Sequence, residues 1–94
     1  MLSGAEAKYL KDFEIELTFS DGRIGRADLT ELVHKDSRSV FTPLRDKEFF
    51  KNFTVDYTIR WGDEIDLAPE FLYFKAFEKQ KELHERFKKW GYVA

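Results

Sequence analysis

Apolar and polar residues alternate along two segments of the chain, and this period predicts strands. In residues 7–20 the odd positions are apolar from Phe13 onward, and in residues 53–61 the same pattern ends at Trp61. Successive side chains of a strand point to opposite faces, so each segment should have one face in the core and one in water. Residues 1–6 lack the pattern and are expected to be loose.

Asp21-Gly22 follows the first segment and is the commonest signal for a two-residue hairpin turn. Residues 23–28 are therefore expected to return antiparallel, with Ile24 and Ala27 facing the core. Gly25 has no side chain to pack and so weakens this strand, and we expect it to mark a bulge. Together these strands predict an antiparallel sheet.

Helix signals in the middle of the chain are short. Asp28 or Thr30 can cap one helical turn, and Asp46 can cap a helix over residues 47–52. Between them, Val40–Leu44 predicts a short extended segment whose Pro suits an edge position. Three aromatic residues at and after the second helix are expected to face inward: Phe49, Phe50 and Phe53.

A long C-terminal helix is predicted from Pro69 to Trp90, since Pro is favoured at a first helical position and Gly91 ends the last turn. At about 100° per residue, its apolar residues fall into two groups roughly 120° apart. The first group is Tyr73, Phe74 and Phe77, and the second is Leu83, Phe87 and Trp90. Either the helix bends near Gln80, or its second half packs on something other than the sheet.

We interpret the second apolar group as an association surface, because large apolar side chains in water are unusual on a helix this charged. The flanking basic residues could contact the acidic body of a second copy, giving a symmetric dimer, or an acidic partner protein. The predicted partner-binding residues are Leu83, Arg86, Phe87, Lys89 and Trp90. The alternative is a bend near Gln80 that returns the helix end to its own core.

These elements predict an α+β fold with a small antiparallel sheet, short helices and one long C-terminal helix. The 94 residues are expected to form one domain, with residues 7–73 as its core and residues 74–94 as a helical extension. No apolar run approaches the ~18 residues that span a membrane, and no signal peptide is expected. The chain has no Cys, which excludes disulfides and Cys-ligated metals and fits a cytoplasmic protein.

Charge is unevenly distributed. The net charge is −2, yet residues 1–74 carry 10 Lys and Arg against 15 Asp and Glu, and residues 75–94 carry 6 against 3. The basic end could contact phosphates, which makes nucleic-acid binding the alternative function. However, its Glu residues are interleaved and form i,i+4 pairs such as Glu82–Arg86, so a solvated helix face is favoured over nucleic-acid binding.

The densest acidic group is a candidate cation site, because hard cations take several oxygen ligands. Its members are Asp56, Asp63, Glu64, Asp66 and Glu70. Their spacing is not that of an EF-hand, and Asp66 and Glu70 equally suit a helix start, so no metal is predicted. The question of a cation at the acidic turn, Asp63-Glu64-Asp66, stays open.

His34 shares one loop with Asp36, Ser37 and Ser39. A nucleophile, its base and an orienting group usually come from separate elements, so this loop is not expected to be catalytic. His84, among charged helix residues, is expected to be exposed. We predict no catalytic residue, no cofactor and no enzymatic activity.

Three segments together resemble the bacterial family known as domain of unknown function 2442, over about residues 7–73. They are residues 13–22 followed by Asp28-Leu29, residues 40–46 followed by Phe49 or Phe50, and residues 59–73 with Trp61 and Asp66-Leu-Ala-Pro-Glu-Phe-Leu-Tyr73. Gly62 stands where the family usually has Pro. The resemblance implies a small bacterial cytoplasmic α+β domain with an antiparallel sheet.

Some members of that family look like the antitoxin halves of two-gene toxin–antitoxin pairs, and others are joined to a helix-turn-helix DNA-binding domain. This chain reaches Ala94 with no room for such a domain, so direct DNA reading is not expected. No catalytic residues are known for the family. We therefore interpret the protein as a small non-enzymatic protein-interaction module; in its antitoxin-like version, the partner is a neighbouring gene's product.

Overall fold

Two three-stranded antiparallel sheets form the frame of an α+β fold, so the predicted fold class is confirmed with two sheets in place of one. The computed structural model describes residues 2–35, 39–56, 58–62 and 64–93. In their order across the first sheet, the strands are β1 (Gly4–Lys11), β2 (Glu14–Phe19) and β3 (Ile24–Asp28). Those of the second sheet are β4 (Thr54–Val55), β5 (Ile59–Trp61) and β6 (Ile65–Asp66).

The first alternating segment is two strands, not one. β1 includes Gly4–Glu6, which had been expected to be loose, and turns at Asp12 into β2. Asp12 has a φ of 47°, a left-handed conformation that Asp tolerates in turns. The buried face of β2 is as predicted, since Ile15, Leu17 and Phe19 are in the core, as is Phe13 immediately before the strand.

The hairpin from β2 to β3 is confirmed, but its turn has three residues, with Gly22 in the left-handed region at φ 88°. Ala27 is buried as predicted. The prediction for Ile24 is wrong: its side chain is 62% exposed, because it lies on the face opposite Ala27 in a strand that pairs regularly with β2. No bulge occurs at Gly25; this glycine instead gives space to the ring of Phe77.

We expect Gly25→Ala to lower the free energy of unfolding by about 1–3 kcal/mol, as overpacking does. A Cβ at this position would lie 2.6 Å from Phe77 Cε1 and 3.1 Å from Ala76 Cβ. The Phe77 ring has little room to retreat, since it packs 5.7 Å from the Phe19 ring and 4.7 Å from the Tyr73 ring, centroid to centroid. Urea titration measures the change, and adding Phe77→Leu should recover part of it. An unchanged midpoint in Gly25→Ala would contradict the close packing.

Short helices connect the two sheets: α1 (Thr30–Lys35), a 3₁₀ helix over Ser39–Arg45, and α2 (Lys47–Phe50). Val40–Leu44 was predicted to be extended, but it lies in the 3₁₀ helix. The sequence did not distinguish the two, because the fixed φ of Pro43 suits a 3₁₀ turn as well as an extended chain. The Asp46 cap of α2 is confirmed, because its side chain accepts a hydrogen bond from the Glu48 N–H at 3.0 Å. Of the three aromatic residues expected to face inward, Phe50 is buried, Phe53 is half-buried and Phe49 is exposed.

The second alternating segment is also a hairpin and not one strand over residues 53–61. Val55 of β4 lies opposite Ile59 of β5, and the Asp56 N–H donates to the Thr58 carbonyl across the turn. The predicted inner face is confirmed for Ile59 and Trp61, whereas Val55 is exposed. Tyr57 lies outside the described residues.

The C-terminal helix is broken. α3 (Pro69–Phe77) begins at Pro69 as predicted, and a 3₁₀ turn over Lys81–Leu83 leads into α4 (His84–Trp90), which ends at Gly91 with φ 85°. Between the helices, Gln80 has an extended backbone, with φ −86° and ψ 113°. The bend near Gln80 is therefore present, and it returns the second apolar group to the core shared by both sheets.

Candidate functional site

The C-terminal association surface predicted from sequence does not exist as an exposed apolar patch. Leu83 is 4% exposed and Phe87 is 1% exposed, and Trp90 is half-buried. The Phe87 ring centroid lies 5.1 Å from that of Phe74, and the Trp90 ring 5.9 Å from that of Tyr73. The prediction was wrong because it extended one straight helix, whereas the bend turns both apolar groups towards each other.

The basic members of the predicted surface differ from each other. Arg86 is held by its own chain: its Nη1 donates to the Tyr73 hydroxyl at 3.3 Å, and its guanidinium lies 5.6 Å from the Tyr73 ring centroid and 6.0 Å from that of Trp90. Lys89 is exposed on α4. The structure thus leaves charged side chains, not apolar ones, on the outer face of α4.

A polar network joins the turn after β2 to both C-terminal helices. The Tyr73 hydroxyl donates to Asp21 Oδ2 at 2.7 Å, and Arg23 lies 3.9 Å from both Asp21 and Glu82. Burial and the neighbouring carboxylate raise the pKa of Tyr73. Burial alone would raise the pKa of Asp21, but hydrogen bonds from Arg23 and Tyr73 outweigh it and lower that pKa. At neutral pH the phenol therefore stays protonated and the carboxylate charged, which suits a structural hydrogen bond.

The acidic residues near β6 do not converge. Asp56 pairs with Arg60 at 3.9 Å, Glu64 and Asp66 are exposed, and Asp63 lies outside the described residues. Within the described ranges, no group of three potential ligands is placed to hold a metal ion. Asp66 does not cap α3, since the residue at the cap position is Ala68 and makes no side-chain cap hydrogen bond.

The two histidines show no catalytic arrangement in the described part of the chain. His34 Nδ1 lies 3.2 Å from the Thr30 carbonyl, and its ring packs edge-on against Phe13 at 5.1 Å. Asp36 and Ser37, its predicted loop neighbours, fall outside the described residues. His84 is exposed, as predicted. Absence of enzymatic activity therefore stays a prediction.

A concave surface lies along β6, where the sequence analysis had placed a helix start and a candidate cation site. Two hollows meet there, and both are lined by Asp66, Leu67 and Ala68. We name the hollow of about 420 Å³ the outer pocket; its other lining residues are Leu2, Thr58, Pro69 and Glu70. The hollow of about 200 Å³ is the inner pocket; its other lining residues are Leu32, Phe41 and Phe71. Together they form the β6 groove.

Hydrogen bonds hold the floor of the β6 groove, formed by Asp66–Ala68, in place. The buried Thr58 hydroxyl donates to the Leu67 carbonyl, and the Leu67 N–H donates to the Ile59 carbonyl at 3.4 Å. Leu67 itself is buried. These bonds hold Asp66–Ala68 against β5 before any ligand arrives, so the groove is preformed.

Charge in the β6 groove has one sign. Asp66 and Glu70 line the outer pocket, and neither pocket is lined by Lys or Arg among the described residues. Apolar side chains supply most of the remaining wall. The groove therefore suits a ligand that combines apolar side chains with positive charge.

No helix in the described part of the chain is both long and apolar enough to cross a membrane.

Comparison with known proteins gives a family and a fold. The family described as "Protein of unknown function (DUF2442)" matches residues 5–78, and no curated protein matches the chain. Among solved structures, a protein from Nitrosomonas europaea named as a candidate DNA-binding protein is similar, with a TM-score of 0.72 and 16% sequence identity. The match covers 100% of this chain but 63% of that one. With most of its length matched, the chain belongs to the family of proteins of unknown function DUF2442.

Proposed function

We propose that the protein is a small non-enzymatic protein-interaction module and that the β6 groove binds its partner. The observation that carries this proposal is a preformed hollow whose apolar walls come from α1, the 3₁₀ helix over Ser39–Arg45 and α3. A wall built from three separate elements presents a defined shape, and apolar grooves with polar rims are typical protein-binding surfaces.

The partner segment is expected to be apolar and basic. Asp66 and Glu70 place negative charge at the rim, and the larger part of the chain, residues 1–74, carries more Asp and Glu than Lys and Arg. Complementary charge speeds encounter and disfavours wrong partners. An antitoxin-like role, in which the partner is the product of a neighbouring gene, is the specific version of this proposal.

We expect Ala68→Arg to prevent the product of the neighbouring gene from co-purifying with the protein. Ala68 is exposed in the middle of the β6 groove, so an Arg side chain would fill it and repel a basic partner. Gln80→Arg is the matched control, because Gln80 is also an exposed N-cap residue with extended backbone and no side-chain cap bond. Co-expression followed by affinity purification measures the effect.

Two results would contradict this proposal. If the neighbouring gene's product does not co-purify with the parent chain, the antitoxin-like version is wrong. If it co-purifies equally with the parent and with Ala68→Arg, the β6 groove is not the binding surface. Circular dichroism of both variants controls for folding.

Nucleic-acid binding is the second candidate function. It is favoured by the name of the structurally similar protein and by the exposed Lys81, Lys88 and Lys89 near and on α4. Against it, Glu82 and Glu85 are exposed on the same segment. Binding of duplex DNA that weakens as salt rises, and is lost when Lys88 and Lys89 become Gln, would favour this candidate.

A further inference from the structure

We propose that the partner enters the β6 groove as an extended strand that pairs with Asp66 and carries alternating basic and apolar residues. This inference rests on the proposed function and specifies the chemistry of the partner. Three features of the groove carry it: the direction of the backbone groups of β6, the division of the groove into two pockets, and the charge of the outer pocket.

The backbone of β6 offers hydrogen-bonding groups to the groove. Asp66 lies opposite Arg60, and the next pair, Leu67 and Ile59, is hydrogen-bonded through the Leu67 N–H. Hydrogen-bonded and non-hydrogen-bonded pairs alternate in an antiparallel ladder, so Asp66 is a non-bonded partner of β5. Its N–H and C=O therefore point away from β5, towards the open edge.

The edge continues beyond β6 in an extended conformation. Ala68 has φ −62° and ψ 137°, and its carbonyl accepts the Leu72 N–H at 3.1 Å as α3 begins. Ala68 lies two residues after Asp66 in an extended chain, so the Ala68 N–H points to the same side as the Asp66 N–H. An incoming strand can thus exchange two hydrogen bonds with Asp66 and accept a third from Ala68, which is the pattern of strand addition to a sheet edge.

An added strand would present its two faces to the two pockets, which share Asp66, Leu67 and Ala68 and differ in their remaining walls. The side chains of Thr58 and Asp66 are on one face of the second sheet, and both line the outer pocket. Leu67 is buried on the opposite face and lines both pockets, and the inner pocket adds the apolar side chains of Leu32, Phe41 and Phe71. Successive side chains of the partner would therefore enter the outer and inner pockets in turn.

Charge decides which side chain enters which pocket. The partner residue opposite Asp66 has its side chain beside this carboxylate and near Glu70, so Lys or Arg is favoured there. The partner residues before and after this one would contact Leu32, Phe41 and Phe71 in the inner pocket, so apolar side chains are favoured at those two partner positions. A second copy of this chain paired through β6 would instead place Asp66 near its equivalent, and like charges directly opposite are destabilising.

The test uses a capped six-residue peptide of alternating Lys and Val, titrated into the ¹⁵N-labelled full chain and followed by amide chemical shifts. We expect the largest shift changes at Asp66 and Ala68, and no comparable change with a peptide of alternating Glu and Val. Asp66→Lys should weaken binding by about threefold to thirtyfold, since it replaces an exposed attraction by a repulsion. Glu85→Lys on α4 makes the same charge change away from the groove and should leave binding unaltered.

Two methylated peptides distinguish strand addition from simple occupation of the groove. The Lys residue opposite Asp66 directs its own N–H at Asp66, whereas the Val N–H groups point away. N-methylation of the Lys amides should therefore abolish binding, and N-methylation of the Val amides should preserve it.

Each other outcome has a defined meaning. Equal binding of both methylated peptides at Asp66 and Ala68 would overturn strand addition while leaving the groove as the binding surface. Shift changes at α4 and not at β6, or no binding of the alternating Lys and Val peptide, would overturn this inference. The co-purification experiment with Ala68→Arg decides the proposed function independently of these results.

Discussion

Trp61→Ala is expected to lower the free energy of unfolding by about 3–5 kcal/mol, as removal of a large buried aromatic side chain does. Trp61 is 1% exposed, and its ring lies 5.5 Å from the Phe50 ring and 6.4 Å from the Phe53 ring. Its indole N–H also donates to the Phe50 carbonyl at 2.6 Å, so the truncation leaves a buried acceptor without its donor. In a domain this small, such a loss is comparable to the whole stability.

Urea titration of Trp61→Ala and Trp61→Phe separates the two contributions of this residue. Trp61→Phe keeps most of the buried ring and removes the donor, so its cost should fall to about 1–3 kcal/mol. If Trp61→Ala changes the free energy of unfolding by less than about 1 kcal/mol, the side chain is not a core residue. The position of Trp61 on β5 would then have to be explained by something other than packing in the core.

Phe87→Ala should likewise cost about 3–5 kcal/mol, although sequence analysis placed Phe87 on an association surface. The side chain is 1% exposed and packs on Phe74, on Tyr73 at 6.3 Å between ring centroids, and on Trp90 at 5.9 Å. Removing it leaves a cavity between α3 and α4. The physical reason is therefore the same as for Trp61, namely loss of buried apolar contact.

The experiment on Phe87 must record both stability and molecular mass. Urea titration should show the loss in Phe87→Ala and almost none in Lys88→Ala, whose side chain is exposed one residue away. Light scattering should give the same mass for the parent and Phe87→Ala while both are folded. An unchanged stability together with a lower mass would show that Phe87 belongs to an interface between chains.

The sequence was informative where one residue decides the local structure. Asp46, Pro69 and Gly91 marked the ends of helices correctly, because capping, a missing N–H and a left-handed φ are local properties. The alternation of β2 and the burial of Trp61 also followed from the sequence. These features need no knowledge of what lies across the core.

The two hairpins were missed for different reasons. In the first, the register shifts after Tyr9, so that Lys11 lies opposite Glu14, and a clear alternation begins only at Phe13, after the turn. In the second, opposite residues share the same parity, as in Val55 with Ile59, so the odd positions keep one face and the alternation runs through the turn without a visible break. A period of two residues cannot distinguish one long strand from such a hairpin.

The C-terminal segment and the β6 groove required the structure. The apolar residues of the predicted C-terminal helix change direction after Phe77, which showed that one straight helix could not bury them all on the sheet. Whether the second half of that helix contacts its own core or a partner depends on the backbone angles at Gln80. The groove is lined by residues as far apart in sequence as Leu2, Leu32 and Phe71. No local pattern links such positions.

The most direct test of the β6 groove as the binding surface is hydrogen exchange of the full chain with and without the product of the neighbouring gene. Bound backbone amides exchange more slowly, and the method reports where along the chain this happens. The proposed function predicts slower exchange in residues 64–71 and unchanged exchange in α4. Protection confined to α4, or no protection within residues 64–71 in a complex that has formed, would contradict it.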